Sequence, residues 1–154
     1  MKRSRLFVAL VAVVASTASA RAQEVLQLIP DDALGFAVVT RLGATNEKFT
    51  ALAQKLKLPL PGSPLDMLKG ALGVEKGLSE KGSLAVAAFS KGESDEPSPL
   101  FFVPVSNYQD FIKQFEPHDP AAAIATLKLK DGKELVAAKR GNYALMAAVA
   151  DRAL

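Results

Sequence analysis

An α+β domain is the fold class this sequence predicts: a mostly antiparallel sheet with helices on one face, in a β-α-β-β-α-β (ferredoxin-like) order with a C-terminal β-hairpin extension. Three observations predict it. Apolar, β-rich runs recur at Leu34 to Thr40, Leu84 to Phe89 and Leu100 to Val103. Segments of helical period, bracketed by cap and breaker residues, follow the first and third of these runs. Past His118, apolar and charged residues alternate and are punctuated by glycine turns.

The first run, LGFAVVT, is apolar at successive positions, which predicts a mostly buried strand, and Gly43 closes it. Phe49, Leu52, Ala53 and Leu56 then fall at i, i+3, i+4 and i+7, which predicts a helix with that stripe inward and Asn46 and Glu47 in its cap and first turn. LPLPGSP breaks the chain. Ser63 followed by Pro64 and Asp66 starts a second, short helix, with Leu65, Leu68 and Leu72 inward and Gly73 past its end. Leu84 to Phe89 is the second strand, SKGESDEPSP a polar loop and Leu100 to Val103 the third strand. Proline cannot donate to a sheet ladder, so Pro104 marks that strand's end. Ser106-Asn107-Tyr108-Gln109 fits a capping box led by Ser106, and Tyr108, Phe111, Ile112 and Phe115 repeat at helical spacing until Pro117. Leu127 and Leu129 alternate with Lys128 and Lys130. Asp131-Gly132 is a two-residue hairpin signal, Glu134 to Ala138 returns, Lys139-Arg140-Gly141 turns again and Asn142 to Ala147 closes the order. Asp151 to Leu154 reads as the first turn of another helix, which predicts that residues 23–154 are the N-terminal part of a longer protein.

Residues 1–22 read as an export signal. Lys2, Arg3 and Arg5 precede an apolar core from Leu6 to Ala15, and small residues follow, with cleavage after Ala20 or Ala22. That core is too short to span a bilayer, which takes about 20 apolar residues. The expected location is periplasmic or extracellular, with no stable membrane span after cleavage. The formal charge of +3 includes those three basic residues, and cleavage after Ala20 leaves 16 basic against 16 acidic side chains. A neutral mature chain offers no field for nucleic acid. The sequence contains no cysteine, so neither a disulfide framework nor a lipidated cysteine is available.

Chemistry-bearing patterns are sparse. One histidine, His118, and no cysteine argue against zinc, and His118 in EPHDP reads as an exposed loop residue. Gly77 to Gly82 spaces two glycines as a phosphate loop does, yet Ser83 stands where the lysine belongs and a strand follows instead of a helix. Asp31-Asp32 and Asp95-Glu96 lie in turn-like stretches that do not separate carboxylate pKa values. Catalytic, cofactor and metal residues are therefore expected to be absent. The remaining cluster is Lys128, Lys130, Lys133, Lys139 and Arg140, a candidate contact surface for an anionic partner whose plainer reading is a solvated strand face that discourages edge pairing.

Ile29-Pro30-Asp31-Asp32-Ala33-Leu34-Gly35, Lys76-Gly77-Leu78, Val105-Ser106-Asn107-Tyr108-Gln109-Asp110-Phe111 and Gly141-Asn142-Tyr143-Ala144 together resemble a family of exported bacterial proteins of unknown function. The resemblance implies an exported α+β domain of a longer protein and brings no catalytic residues. The reading is a non-catalytic binding or structural module of the cell envelope, partnered by an envelope protein or polymer. Its alternatives are the N-terminal part of an extracytoplasmic enzyme whose catalytic residues lie beyond Leu154, and a small-solute binding domain.

Overall fold

Six strands, Gly35–Val39 (β1), Leu84–Lys91 (β2), Ser94–Pro104 (β3), Ile124–Lys128 (β4), Glu134–Arg140 (β5) and Tyr143–Ala148 (β6), form one sheet in the order β1-β2-β3-β6-β5-β4. The computed structural model describes residues 24–59, 61–91, 94–115, 117, 119, 121–129 and 132–149, for 71, 91 and 94–96 the backbone alone. The export segment 1–22, His118, Lys130, Asp131 and 151–154 lie outside the described residues, as do the Asp95 and Glu96 side chains. Among the described residues, three helices accompany the strands: Leu42–Lys55 (α1), Pro64–Leu72 (α2) and Tyr108–Ile112 (α3), the last continued by a 3-10 turn over Lys113–Phe115.

The class is α+β and every neighbouring strand pair is antiparallel. The strand order departs from the ferredoxin-like plan, which needs a parallel crossover after the first strand. Here α1 and α2 double back, so the chain returns to the end where β1 stopped. Leu42 and Gly43 at the start of α1 donate their amides to Gly82 and Glu80 of the returning loop at 3.0 and 2.8 Å. β2 therefore begins at Leu84 beside Val39 and must run antiparallel to β1.

Period-2 alternation splits the core between the two sheet faces. Val103, Ala125, Leu127, Ala137, Ala144 and Met146 pack under Tyr108, Phe111, Ile112 and Phe115 of α3 and its 3-10 turn, with Val74 beside them. The other face buries Ala85, Ala87, Phe89, Leu100, Phe102, Val136 and Ala147 against Val25, and Leu28, Ile29 and Ala33 pack at its margin. That second face is covered by the N-terminal segment, which begins as a helical turn at 24–26.

Local signals hold best where their partners are close in sequence. Ser63 caps α2 by accepting from the Asp66 amide, Pro64 occupies the first turn and Gly73 ends the helix at φ 70°. Pro104 is the last residue of β3, fully buried and paired with Tyr143. The cap of α3 lies one residue later than expected. Asn107 Oδ1 accepts from the Gln109 and Asp110 amides at 3.0 and 3.2 Å, while the exposed Ser106 donates its backbone amide to Gly77.

In the polar stretch read as a loop, the described residues 90–91 and 94–99 are instead strand. β2 and β3 continue past Phe89↔Ser98 to Lys91↔Ser94, with a register shift between Phe89 and Lys91. Ladder pairing carries polar residues where the hairpin projects past the core. Three residues, 130–132, separate the bonded pair Leu129 and Lys133 in the next hairpin, in place of the expected two-residue turn. β5 extends through Arg140, and Gly141-Asn142 forms the two-residue turn, with positive φ at Gly141 alone, as in a II′ turn.

α1 departs most from expectation. It starts at Leu42, after Arg41 at φ 48°, and has no side-chain cap. Of its apolar stripe only Ala53 is buried, while Phe49, Leu52 and Leu56 are exposed. The helix is held by α2, where Leu65 donates its amide to Asn46 Oδ1 at 2.9 Å, so the face turned inward is the neighbouring one bearing Asn46 and Thr50.

Candidate contact surface

β1 was expected to be mostly buried and lies at the sheet edge, paired with β2. Leu34 is 67% exposed, Phe36 57% and Val39 41%, while the Val38 side chain is half-buried against the second core. The strand has no lysine, no proline and no bulge, the usual means by which an edge is kept from pairing. The opposite edge, β4, ends in an exposed Lys128. Charges flank β1 on both sides: Asp31 and Asp32 precede it and Arg41 follows, all exposed. Arg41 adopts the left-handed conformation, uncommon outside glycine, and this turns the chain from strand to helix. The turn is braced by Thr45 Oγ1, which donates to the Thr40 carbonyl at 2.7 Å.

Among the described residues, two recesses are defined. One, of about 460 Å³, runs between α1 and α2 and is lined by Asn46, Thr50, Gln54, Asp66, Lys69 and Glu80 among others. Lys69 and Glu80 pair across it at 2.6 Å. The other, of about 350 Å³, lies at the end of β3 and β6 and is lined by Glu24, Ser79, Lys81, Ser106, Asn142 and Tyr143 with neighbouring backbone. Burial raises the Tyr143 hydroxyl above its ordinary range, and the Glu24 carboxylate adds to this, against a hydrogen bond with the Ser83 backbone. Thr50 Oγ1 and Ser83 Oγ are buried without a hydrogen-bond partner among the described residues.

The four described basic residues, Lys128, Lys133, Lys139 and Arg140, do not gather. Lys128 pairs with Glu134 at one end of β5, and Lys139 and Arg140 pair with Ala144 and Tyr143 at the other. Five residues of strand, about 17 Å, separate the two ends. Lys128, Lys133, Lys139 and Arg140 are all exposed. Lys139 and Arg140 also point to opposite faces, because neighbours in a strand alternate.

Gly77 to Gly82 forms a structural brace: Leu78 bridges Val105 and Ser79 donates its amide to the Pro104 carbonyl at 2.9 Å. Gly82 packs directly on the Pro104 ring. Among the described residues there is no group of three or more His, Asp or Glu placed to hold a metal ion, and no helix long and apolar enough to cross a membrane. Sequence reasoning missed the β1 edge. Its signal was the run of apolar residues on both faces, which central and edge strands share. Comparison of the chain with protein-family models, curated proteins and solved structures yields no match.

Proposed function

We propose that this chain is an exported, non-catalytic module of the cell envelope that works by holding another protein against the β1 edge. The observation that carries the reading is Phe36, 57% exposed on an edge strand with Leu34 and Val39 open beside it. Strand addition to such an edge combines main-chain hydrogen bonds with side-chain contacts. An apolar edge favours a protein partner over a polar envelope polymer. Export rests on the charged, apolar and small-residue order of residues 1–22 and on the resemblance to exported proteins. The basic residues Lys128, Lys130, Lys133, Lys139 and Arg140 serve in this reading as a solvated surface.

The test is photo-crosslinking in the exporting cell, with the reactive residue at position 36 or, as the control, at position 133. A discrete protein adduct from 36 that is missing from 133 supports the reading. Equal labelling at both positions, or none at 36, would overturn it. A second reading, a small-solute binding domain, is favoured by the Tyr143 recess, where polar groups converge beside the unpartnered Ser83 hydroxyl. In that case Tyr143→Phe removes solute binding and leaves the adduct at 36 unchanged.

A further inference from the structure

Resting on the reading of β1 as a protein-contact edge, we infer that its occupant is a second copy of this chain, paired β1 to β1 in antiparallel register about a two-fold axis at Ala37. Charge selects both partner and orientation. The strand is flanked by Asp31 and Asp32 before it and Arg41 after it. The antiparallel register centred on Ala37 sets the end of β1 that Arg41 follows beside the end that Asp31 and Asp32 precede on the other copy. Symmetry makes this pairing twice. A parallel arrangement would set acids beside acids and Arg41 beside Arg41.

The same register places Phe36 opposite Val38 of the second copy on one face, an aromatic and β-branched pair of the kind that stabilises sheets. Gly35 faces Val39 on the other, so the small residue receives the larger one. Leu34, Phe36 and Val39 together leave about 300 Å² of apolar side chain open on each copy, taking about 200 Å² for a large apolar side chain. With the flanking charges and the main-chain ladder, the interface falls in the transient class, below about 1,200 Å² in total. The sheet would then run through twelve strands, six from each copy.

The experiment uses the protein exported from cells expressing the full chain. Sedimentation equilibrium from about 1 to 300 µM, the range that brackets micromolar dissociation, is expected to show the mass doubling. Arg41→Glu alone and Asp31→Arg with Asp32→Arg are each expected to weaken self-association about tenfold, since two attractive pairs become repulsive. Mixed together, those two variants are expected to form a heterodimer. Ala37→Cys gives a second measurement. The chain has no cysteine of its own, and directly opposed strand residues lie within disulfide reach. Oxidised Ala37→Cys is expected to run as a covalent dimer, and Leu52→Cys in α1 is not.

A monomer at every concentration would overturn the second copy as occupant, yet leave the β1 edge standing if position 36 still yields an adduct of another mass. A dimer that crosslinks through Leu52→Cys and not Ala37→Cys would overturn the β1 register. Circular dichroism matching the parent establishes that each variant is folded.

Discussion

Asn107 holds the first turn of α3 through one side-chain oxygen that accepts two amides, so its loss strands two donors at once. Asn107→Ala is expected to destabilise by about 1 kcal/mol, whereas Ser106→Ala, exposed and outside the cap, should change stability by under about 0.5 kcal/mol. Phe111 is fully buried and meets Phe115 edge to face at 5.3 Å between ring centres. Phe111→Ala should cost about 3 to 5 kcal/mol. Urea denaturation of the three variants checks the ranking. The tyrosines set a second expectation. Burial raises the hydroxyl of Tyr108, which donates to the Ala137 carbonyl, and burial followed by Glu24 raises that of Tyr143. An acid whose folded value lies above the unfolded 10.0 keeps its proton longer in the fold. Its contribution is thus full below pH 10 and is lost as pH rises through the folded value. The urea midpoint should fall above about pH 10, and Tyr108→Phe should flatten that fall relative to the parent.

The loop between α2 and β2 binds α3 through groups that belong to neither core. Gln114 Oε1 accepts from the Glu75 and Lys76 amides at 2.6 and 2.8 Å, and its Nε2 donates to the Lys76 carbonyl at 2.7 Å. Gly77 lies under the first turn of α3 at φ 79°, and an added Cβ would come within 2.5 Å of the Phe111 nitrogen and 2.7 Å of the Asn107 carbonyl. Gly77→Ala should therefore destabilise by at least about 2 kcal/mol, from backbone clash together with a left-handed alanine. A much smaller shift of the thermal midpoint than at Phe111→Ala would mean the loop lifts away. At this scale the sequence was legible wherever the deciding partner is a few residues distant. Ser63, Pro64, Gly73 and Pro104 announced their roles because caps and breakers act locally. The stripe of Phe49, Leu52 and Leu56 did not, since periodicity marks an apolar face without saying which neighbour arrives to cover it.

Charge is a property of the entire surface, and Lys128, Lys133, Lys139 and Arg140 occupy two ends of one hairpin pair in a chain whose residues 21–154 carry 16 basic and 16 acidic side chains. Each lysine near an anionic surface contributes about 1 kcal/mol, and salt screens beyond about 8 Å, so ends about 17 Å apart act separately. The chain without residues 1–20 is expected to co-sediment with anionic vesicles at low salt only. Binding that survives physiological salt and vanishes when Lys128, Lys130, Lys133, Lys139 and Arg140 become Gln would make those residues a site. The β1 surface was not legible in the sequence for a different reason: edge status follows from strand order, and strand order depends on pairings between distant residues. Those pairings also set how the chain reaches its structure. The ribbons β2-β3 and β4-β5-β6 close over short loops, whereas β3 and β6 join residues about forty positions apart, as at Val103↔Ala144. β1 joins β2 across a still wider span, as at Gly35↔Ala88, but the β3–β6 seam is where the two ribbons unite, so it is expected to be the rate-limiting step of folding. In stopped-flow refolding, Phe102→Ala at the seam should slow folding nearly in proportion to the stability it removes. Leu127→Ala in the outer ribbon should leave the folding rate close to the parent and speed unfolding instead.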